Sequence, residues 1–73
     1  MPAADNIKLL DVVALTTDVA EQGLLRGQVG TIVEVFPPDA FEVEFIDADG
    51  RTYALATLRT DQLLLLRYNP IAA

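Results

Sequence analysis

Two pairs of carboxylates stand two residues apart, Glu42/Glu44 and Asp47/Asp49. Carboxylates held close can divide acid and base work, provided the surroundings keep one of them protonated. On a strand, residues two apart share a face, which sets Glu42 and Glu44 about 7 Å from each other. The same spacing serves a plainer end, a solvated face that keeps an apolar strand from pairing with its neighbours. A chain of 73 residues can hardly enclose the pocket that tunes a general acid, so the plainer reading is preferred. Asp47-Ala48-Asp49-Gly50 opens like a calcium loop, but no Glu follows Glu44 to act as the bidentate ligand, and a turn is expected instead. Gly27-Gln28-Val29-Gly30 would need Lys-Ser or Lys-Thr and a helix after it to cradle a phosphate; Thr31-Ile32 follows, and the segment reads as a tight turn.

Composition removes further chemistry. With no His and no Cys there is no thiol nucleophile, no Ser-His pair, no zinc finger and no disulfide. Five basic residues against eleven acidic ones leave a charge of -6, which opposes nucleic-acid phosphates and anionic membrane surfaces. Arg26, Arg51, Arg59 and Arg67 are scattered singly rather than gathered into a basic patch. Hydrophobic residues make up 52% of the chain, enough for a core and against disorder. The longest obvious apolar run, Leu63 to Leu66, falls far short of the roughly 20 residues that span a bilayer. Met1 to Asn6 lacks the basic and apolar regions of a signal peptide. The expectation is a cytoplasmic, non-enzymatic domain without cofactor, metal or membrane partner.

The elements that would position these residues follow period two. Phe41-Glu42-Val43-Glu44-Phe45 alternates apolar and acidic, a half-buried strand with Phe41, Val43 and Phe45 inward. Thr31 to Phe36 is β-branched and aromatic; Val33 and Val35 are assigned to the core, Ile32 and Phe36 to the outside. Pro37-Pro38-Asp39 must be the loop between these strands. Asp49-Gly50 signals a hairpin into Arg51 to Ala56, with Tyr53 and Leu55 on one face and Ala54 and Ala56 facing outward. Leu58 to Gln62 reads as a short turn, with one turn of 3-10 helix, before a last strand from Leu63 to about Tyr68. Asp11 to Thr16 makes a first strand with Val13 and Leu15 inward, and Thr17 to Gln28 a long loop holding at most one helical turn over Val19 to Gln22, capped by Thr17 or Asp18. Five short strands joined by tight connections point to an all-β fold, a small five-stranded antiparallel barrel spanning 8–68, with a frayed start at 1–7 and a tail at 69–73.

Gly27 and Gly30 are expected to turn the chain sharply out of that loop and into the second strand. With the strand before them, the strand after, and the Asp49-Gly50 hairpin, they resemble an SH3-like barrel of the KOW type, in which a Gly-x-x-Gly-x-Val loop leads into the second strand; here the residues are Gly27, Gly30 and Ile32. More closely, Leu9 to Leu15, Gly23 to Ile32 and Asp49 to Tyr53 resemble a family of short, uncharacterised bacterial proteins classed as a domain of unknown function. That resemblance implies a fold rather than an activity. Some members are encoded beside small toxin-like proteins, which implies an antitoxin or immunity role.

A single-layer barrel has little of its own to cover its outer face. Alternation sends two leucines of Leu63-Leu64-Leu65-Leu66 to the core and two outward, and each Leu left uncovered forgoes about 1.5–3 kcal/mol. Either the Thr17–Gln28 loop folds over that face with Leu24 and Leu25, or another molecule does. The expected function is a non-catalytic protein-interaction module binding a protein partner or a second copy through Leu63, Leu64, Leu65 and Leu66, with Tyr53 and Tyr68 as contacts and Arg51 and Arg67 on the rim. Gly27, Gly30, Asp49 and Gly50 are structural turn residues. In the antitoxin version, Glu34, Glu42 and Glu44 meet a basic site on the partner. The alternative is a KOW-like accessory domain contacting RNA or a ribonucleoprotein.

Overall fold

A computed structural model describes residues 7–67, and its regular structure is all strand and single turns of 3-10 helix. The strands are β1 (Val12–Leu15), β2 (Val29–Phe36), β3 (Ala40–Ile46), β4 (Thr52–Arg59) and β5 (Leu63–Leu65). They form one sheet in the order β4-β3-β2-β1-β5. Every pairing is antiparallel: β1 to β4 run as a meander and β5 returns beside β1.

β4 and β5 therefore lie on opposite edges of the sheet, yet only the 3-10 turn Thr60–Gln62 separates them in the chain. Four strand spacings of about 4.8 Å would hold flat edges about 19 Å apart. The turn covers about 8 Å at a 3-10 rise of about 2 Å per residue. The sheet must curl, and its inner face becomes the core. Thr16 clasps the turn by donating from its N–H to the Gln62 carbonyl at 2.9 Å and from its hydroxyl to the Asp61 carbonyl at 3.1 Å. The Thr60 N–H donates to the Asp39 carbonyl at 3.0 Å, tying the turn to the β2–β3 loop.

Inside the curl lie Val13, Leu15, Ile32, Phe41, Val43, Phe45, Ala56, Leu58 and Leu63, joined by Ile7, Val19 and Leu24. Val13 and Leu15, and Phe41, Val43 and Phe45, are buried as their alternation requires. Ile7, just before the strands, is buried too. The last strand is shorter than expected and ends at Leu65; Tyr68 lies outside the described residues.

β2 and β4 correct the sequence reading. Ile32, expected outside, is fully buried against Val43, whereas Val33, expected inside, is only half-buried and Val35 is exposed. The cause is a bulge: Ile32 faces Val43 but Glu34 faces Glu42, so Val33 is an extra residue and the alternation restarts after it. Val35 does share the face of its partner Phe41, but at the open end of the sheet. Ala54 and Ala56 point inward rather than outward, paired with Phe45 and Val43. Ala56 is buried there and Ala54 partly buried. Leu58 continues β4 inward where a turn was expected.

The Thr17–Gln28 loop contributes to the core instead of covering the outer face. Val19 and Leu24 bond to each other through both backbone groups, at 2.8 and 3.1 Å, across the 3-10 turn Ala20–Gln22. Both side chains are buried, while Leu25 is exposed. Asp18 does not cap the turn: its carboxylate accepts from the Arg26 N–H at 2.8 Å. Gln28 latches the loop to the edge strand by donating to the Tyr53 hydroxyl at 2.9 Å.

Two backbone positions carry testable consequences. Gly30 lies within β2 rather than in a turn, and a Cβ there would stand 2.6 Å from Val43 Cγ1 and 2.9 Å from the Glu44 carbonyl oxygen. Gly30→Ala is expected to cost about 1–3 kcal/mol in chemical denaturation, as overpacking does. Leu10 adopts φ 73 in a turn closed by the Asp11 N–H donating to the Lys8 carbonyl at 3.0 Å, and is 70% exposed. Leu10→Gly is expected to raise stability by up to about 1 kcal/mol in the same measurement, because a left-handed φ strains a side-chain-bearing residue and little burial is lost.

Candidate interaction surface

Register determines what the outer face presents, because directly paired residues share a face. Ala14 pairs with Val29 on one side and Leu64 on the other, giving an apolar row Leu64–Ala14–Val29 across three strands. Ala14 is buried between its neighbours, while Leu64 is 56% and Val29 47% exposed. Val12 pairs with Thr31, Thr31 with Glu44 and Glu44 with Leu55, which is 53% exposed. Leu66 donates its N–H to the Val12 carbonyl at 3.0 Å and so adjoins this second row. Ile46, on the same face of β3, is 48% exposed.

A third row is polar, with Glu34 paired to Glu42 and Glu42 to Thr57. Two like charges directly across a ladder repel by about 0.2–1 kcal/mol. The Thr57 hydroxyl donates to Glu42 at 2.7 Å and the Thr52 hydroxyl donates to Glu44, which fixes both carboxylates on the outer surface. Arg59 forms its ion pair with Asp61 at 3.3 Å instead of with these glutamates. Among the described residues no charged or polar residue is buried and no group of metal-ligating side chains gathers.

The structure separates the leucine quartet. Leu63 is buried beside Leu15, Leu65 is half-buried on the inner face opposite Val13, Leu64 is exposed and Leu66 half-buried. Leu64 is thus the most exposed of the four. Tyr53 is the extra residue of a bulge in β4, since Phe45 faces Ala54 and Ile46 faces Thr52. Its ring lies 6.2 Å from that of Phe45, and its hydroxyl is held by Gln28, so it braces the loop and keeps one exposed edge. Arg51 precedes β4 and Arg67 follows β5, both exposed.

The turn residues divide by cause. Gly27 and Gly50 have φ of 93 and 81, the left-handed region. In the hairpin it is Asp47 rather than Asp49 that anchors the turn, its carboxylate accepting from the N–H groups of Asp49 and Arg51 at 2.9 and 3.0 Å. Val29, Ile46 and Leu55 are outer-face residues the sequence reading did not single out as contacts. Their signal lies in the odd spacing of the polar residues Thr31 and Glu34, which places both on one face only if a bulge intervenes.

A family model described as "Domain of unknown function (DUF4926)" matches residues 9–65. No curated protein and no solved structure matches the chain. No helix is long and apolar enough to cross a membrane among the described residues.

The cross-strand glutamates yield a direct test. Glu34→Gln is expected to raise stability by about 0.2–1 kcal/mol at low salt, and the gain should shrink as ionic strength rises. Denaturant melts at two salt concentrations measure it; an equal gain at both would show that charge is not the cause.

Proposed function

The chain belongs to the DUF4926 family, a domain of unknown function, and we propose that it acts as a non-catalytic protein-interaction module presenting its outer sheet face to a protein partner. The observation that carries the reading is the segregation on that face. Leu64, Val29, Ile46 and Leu55 are exposed on one side of it, interrupted only by Glu44, and Glu34 and Glu42 stand opposed beside them with no basic partner among the described residues. Apolar area supplies affinity when covered. A cation brought by the partner relieves the Glu34–Glu42 repulsion and speeds encounter. A second copy meeting this face with its own would add carboxylate to carboxylate, which favours a different, basic protein. The same glutamates work against RNA.

Two finer statements belong to this reading. The sheet is SH3-like, in keeping with a four-strand meander whose fifth strand returns to the first through a single 3-10 turn. The protein works in a bacterial cytoplasm as the antitoxin or immunity partner of a neighbouring gene's product, the acidic row meeting a basic site. Catalysis is left out because a tuned acid or base needs burial, and the carboxylates of the outer face are solvent-facing.

Co-expression with the product of the adjacent gene provides the test. A complex that survives purification, and rescue of growth where that product is toxic, are expected. Leu64→Asp should abolish both while leaving the melting temperature within a few degrees, since Leu64 is outside the core. Absence of a complex together with absence of rescue removes the antitoxin role, and a complex indifferent to Leu64→Asp removes the outer face as its site.

A further inference from the structure

The free edge of β4 has the chemistry of a strand acceptor. β4 is eight residues long and pairs with β3 alone. Its far side meets no ladder among the described residues, for β5, on the opposite edge, pairs only with β1. Backbone N–H and C=O groups on such an edge are open to another chain. Exposed edges are ordinarily blunted by a lysine, a proline or a bulge within them; β4 has its bulge at Tyr53, near its start, and runs in regular register from Ala54 to Arg59. Here Thr52 to Leu58 carries no charge, no proline and no glycine, and the charges stand only at the ends, on Arg51 and Arg59.

The core is also thin at this place. One inner row runs through Ala54 paired with Phe45, and through Gly30 paired with Val13 and Val13 with Leu65. Phe45 packs over Gly30, joining the two halves. The two residues at its ends, Ala54 on one edge strand and Leu65 on the other, are the partly buried hydrophobics that pack against the core. β5, with three residues, is too short to cover the seam between them.

We propose that β4 accepts an extended segment of another protein as an added strand, uncharged and β-prone through its middle and acidic at its ends. Main-chain hydrogen bonds supply the affinity and alternate side chains the specificity. Inward residues of the segment lie over Ala54 and the seam, outward ones lie beside Leu55, and its acidic ends meet Arg51 and, by exchange with the exposed Asp61 carboxylate, Arg59. A second copy fits worse. An in-phase antiparallel pair of β4 strands centred on Leu55 sets Arg51 against Arg59 at both ends, between chains that each carry -6. This inference goes beyond the outer-face reading and stands apart from it.

The test is a titration of the isotope-labelled full chain with an acetylated, amidated peptide of alternating Val and Thr bearing Asp at each end. Amide shifts and slowed hydrogen exchange confined to 51–59 and the neighbourhood of Leu65 are expected. N-methylating the peptide at one set of alternate positions should abolish binding, and at the other set leave it intact, because only one set faces β4. The double change Arg51→Glu and Arg59→Glu should turn a several-fold preference for the Asp-ended peptide into one for a Lys-ended peptide. Equal binding by both N-methylated series, or shifts centred on Val29 and Leu64, would overturn the proposal. So would β4 shifts that track protein concentration without peptide, which would make a second copy the occupant. The titration reads β4 itself, so its failure leaves the outer-face reading standing, and a failed co-purification leaves this one standing.

Discussion

Arg59 and Leu63 belong to strands on opposite edges of the sheet, and the chain allows them only Thr60–Gln62 to meet. That short tether fixes the shape of the molecule. A flat sheet cannot satisfy it, so the five strands roll until the edges approach, and Thr16 and Asp39 lock the turn from two directions. The roll creates the interior in which Val13, Ile32, Val43 and Phe45 lose all contact with water. It also leaves a seam, because β4 and β5 do not pair among the described residues.

A rolled sheet has unequal faces: the inner one is crowded and the outer one splayed. On the inside, Val43, the Glu44 carbonyl and Phe45 crowd the place where Gly30 would carry a side chain, and Phe45 faces the small Ala54. Ile7, Val19 and Leu24 must come from beyond the strands to complete the core. With the interior filled by so few large side chains, the remaining apolar residues of a chain that is 52% hydrophobic have to stand outside. Leu64, Val29, Ile46, Leu55 and Phe36 are the part of that remainder carried on the outer face of the sheet. Their exposure follows from curvature and would not arise in two stacked sheets, where each face has a partner.

What could be read without coordinates depended on whether polar residues marked one face. In β3 the acids at 42 and 44 do so without interruption, and Phe41, Val43 and Phe45 are legible as core. In β2 apolar residues fall on both faces, and the polar markers Thr31 and Glu34 are out of phase. A strict alternation through Val33 and Val35 therefore puts Ile32 on the wrong side. In β4 the extra residue Tyr53 shifts the phase in the same way, so Ala54 and Ala56 look like a minor face when they are the inner one. The proposed contact surface was legible only in part for the same reason. Leu64 stands out within the leucine quartet, but Val29, Ile46 and Leu55 join it only once the register across three interfaces is known. The loop from Thr17 to Gln28 has no periodicity, and only its packing shows that Leu24 enters the core and Leu25 does not.

The arrangement on the outer face bears on why these residues were placed as they are. A surface built only for solubility would scatter its charges among its apolar side chains, since interruption is what keeps patches small. Here two rows are unmixed, although the row between them pairs Glu44 with Leu55 and Phe36 flanks Glu34 on the far side. The row Leu64–Ala14–Val29 contains no charge, and the row Glu34–Glu42–Thr57 contains no large apolar residue. Sorting has a cost, a direct repulsion of about 0.2–1 kcal/mol between Glu34 and Glu42 in a domain whose total stability is of order 5–15 kcal/mol. A neutral residue at either position would remove that cost without exposing more apolar area. The glutamate pair therefore has no role in solubility that a single glutamate would not fill. With Glu42 held by the hydroxyl of its ladder neighbour Thr57, the pair is the charge contact that the proposed basic partner would meet, next to apolar area it would cover.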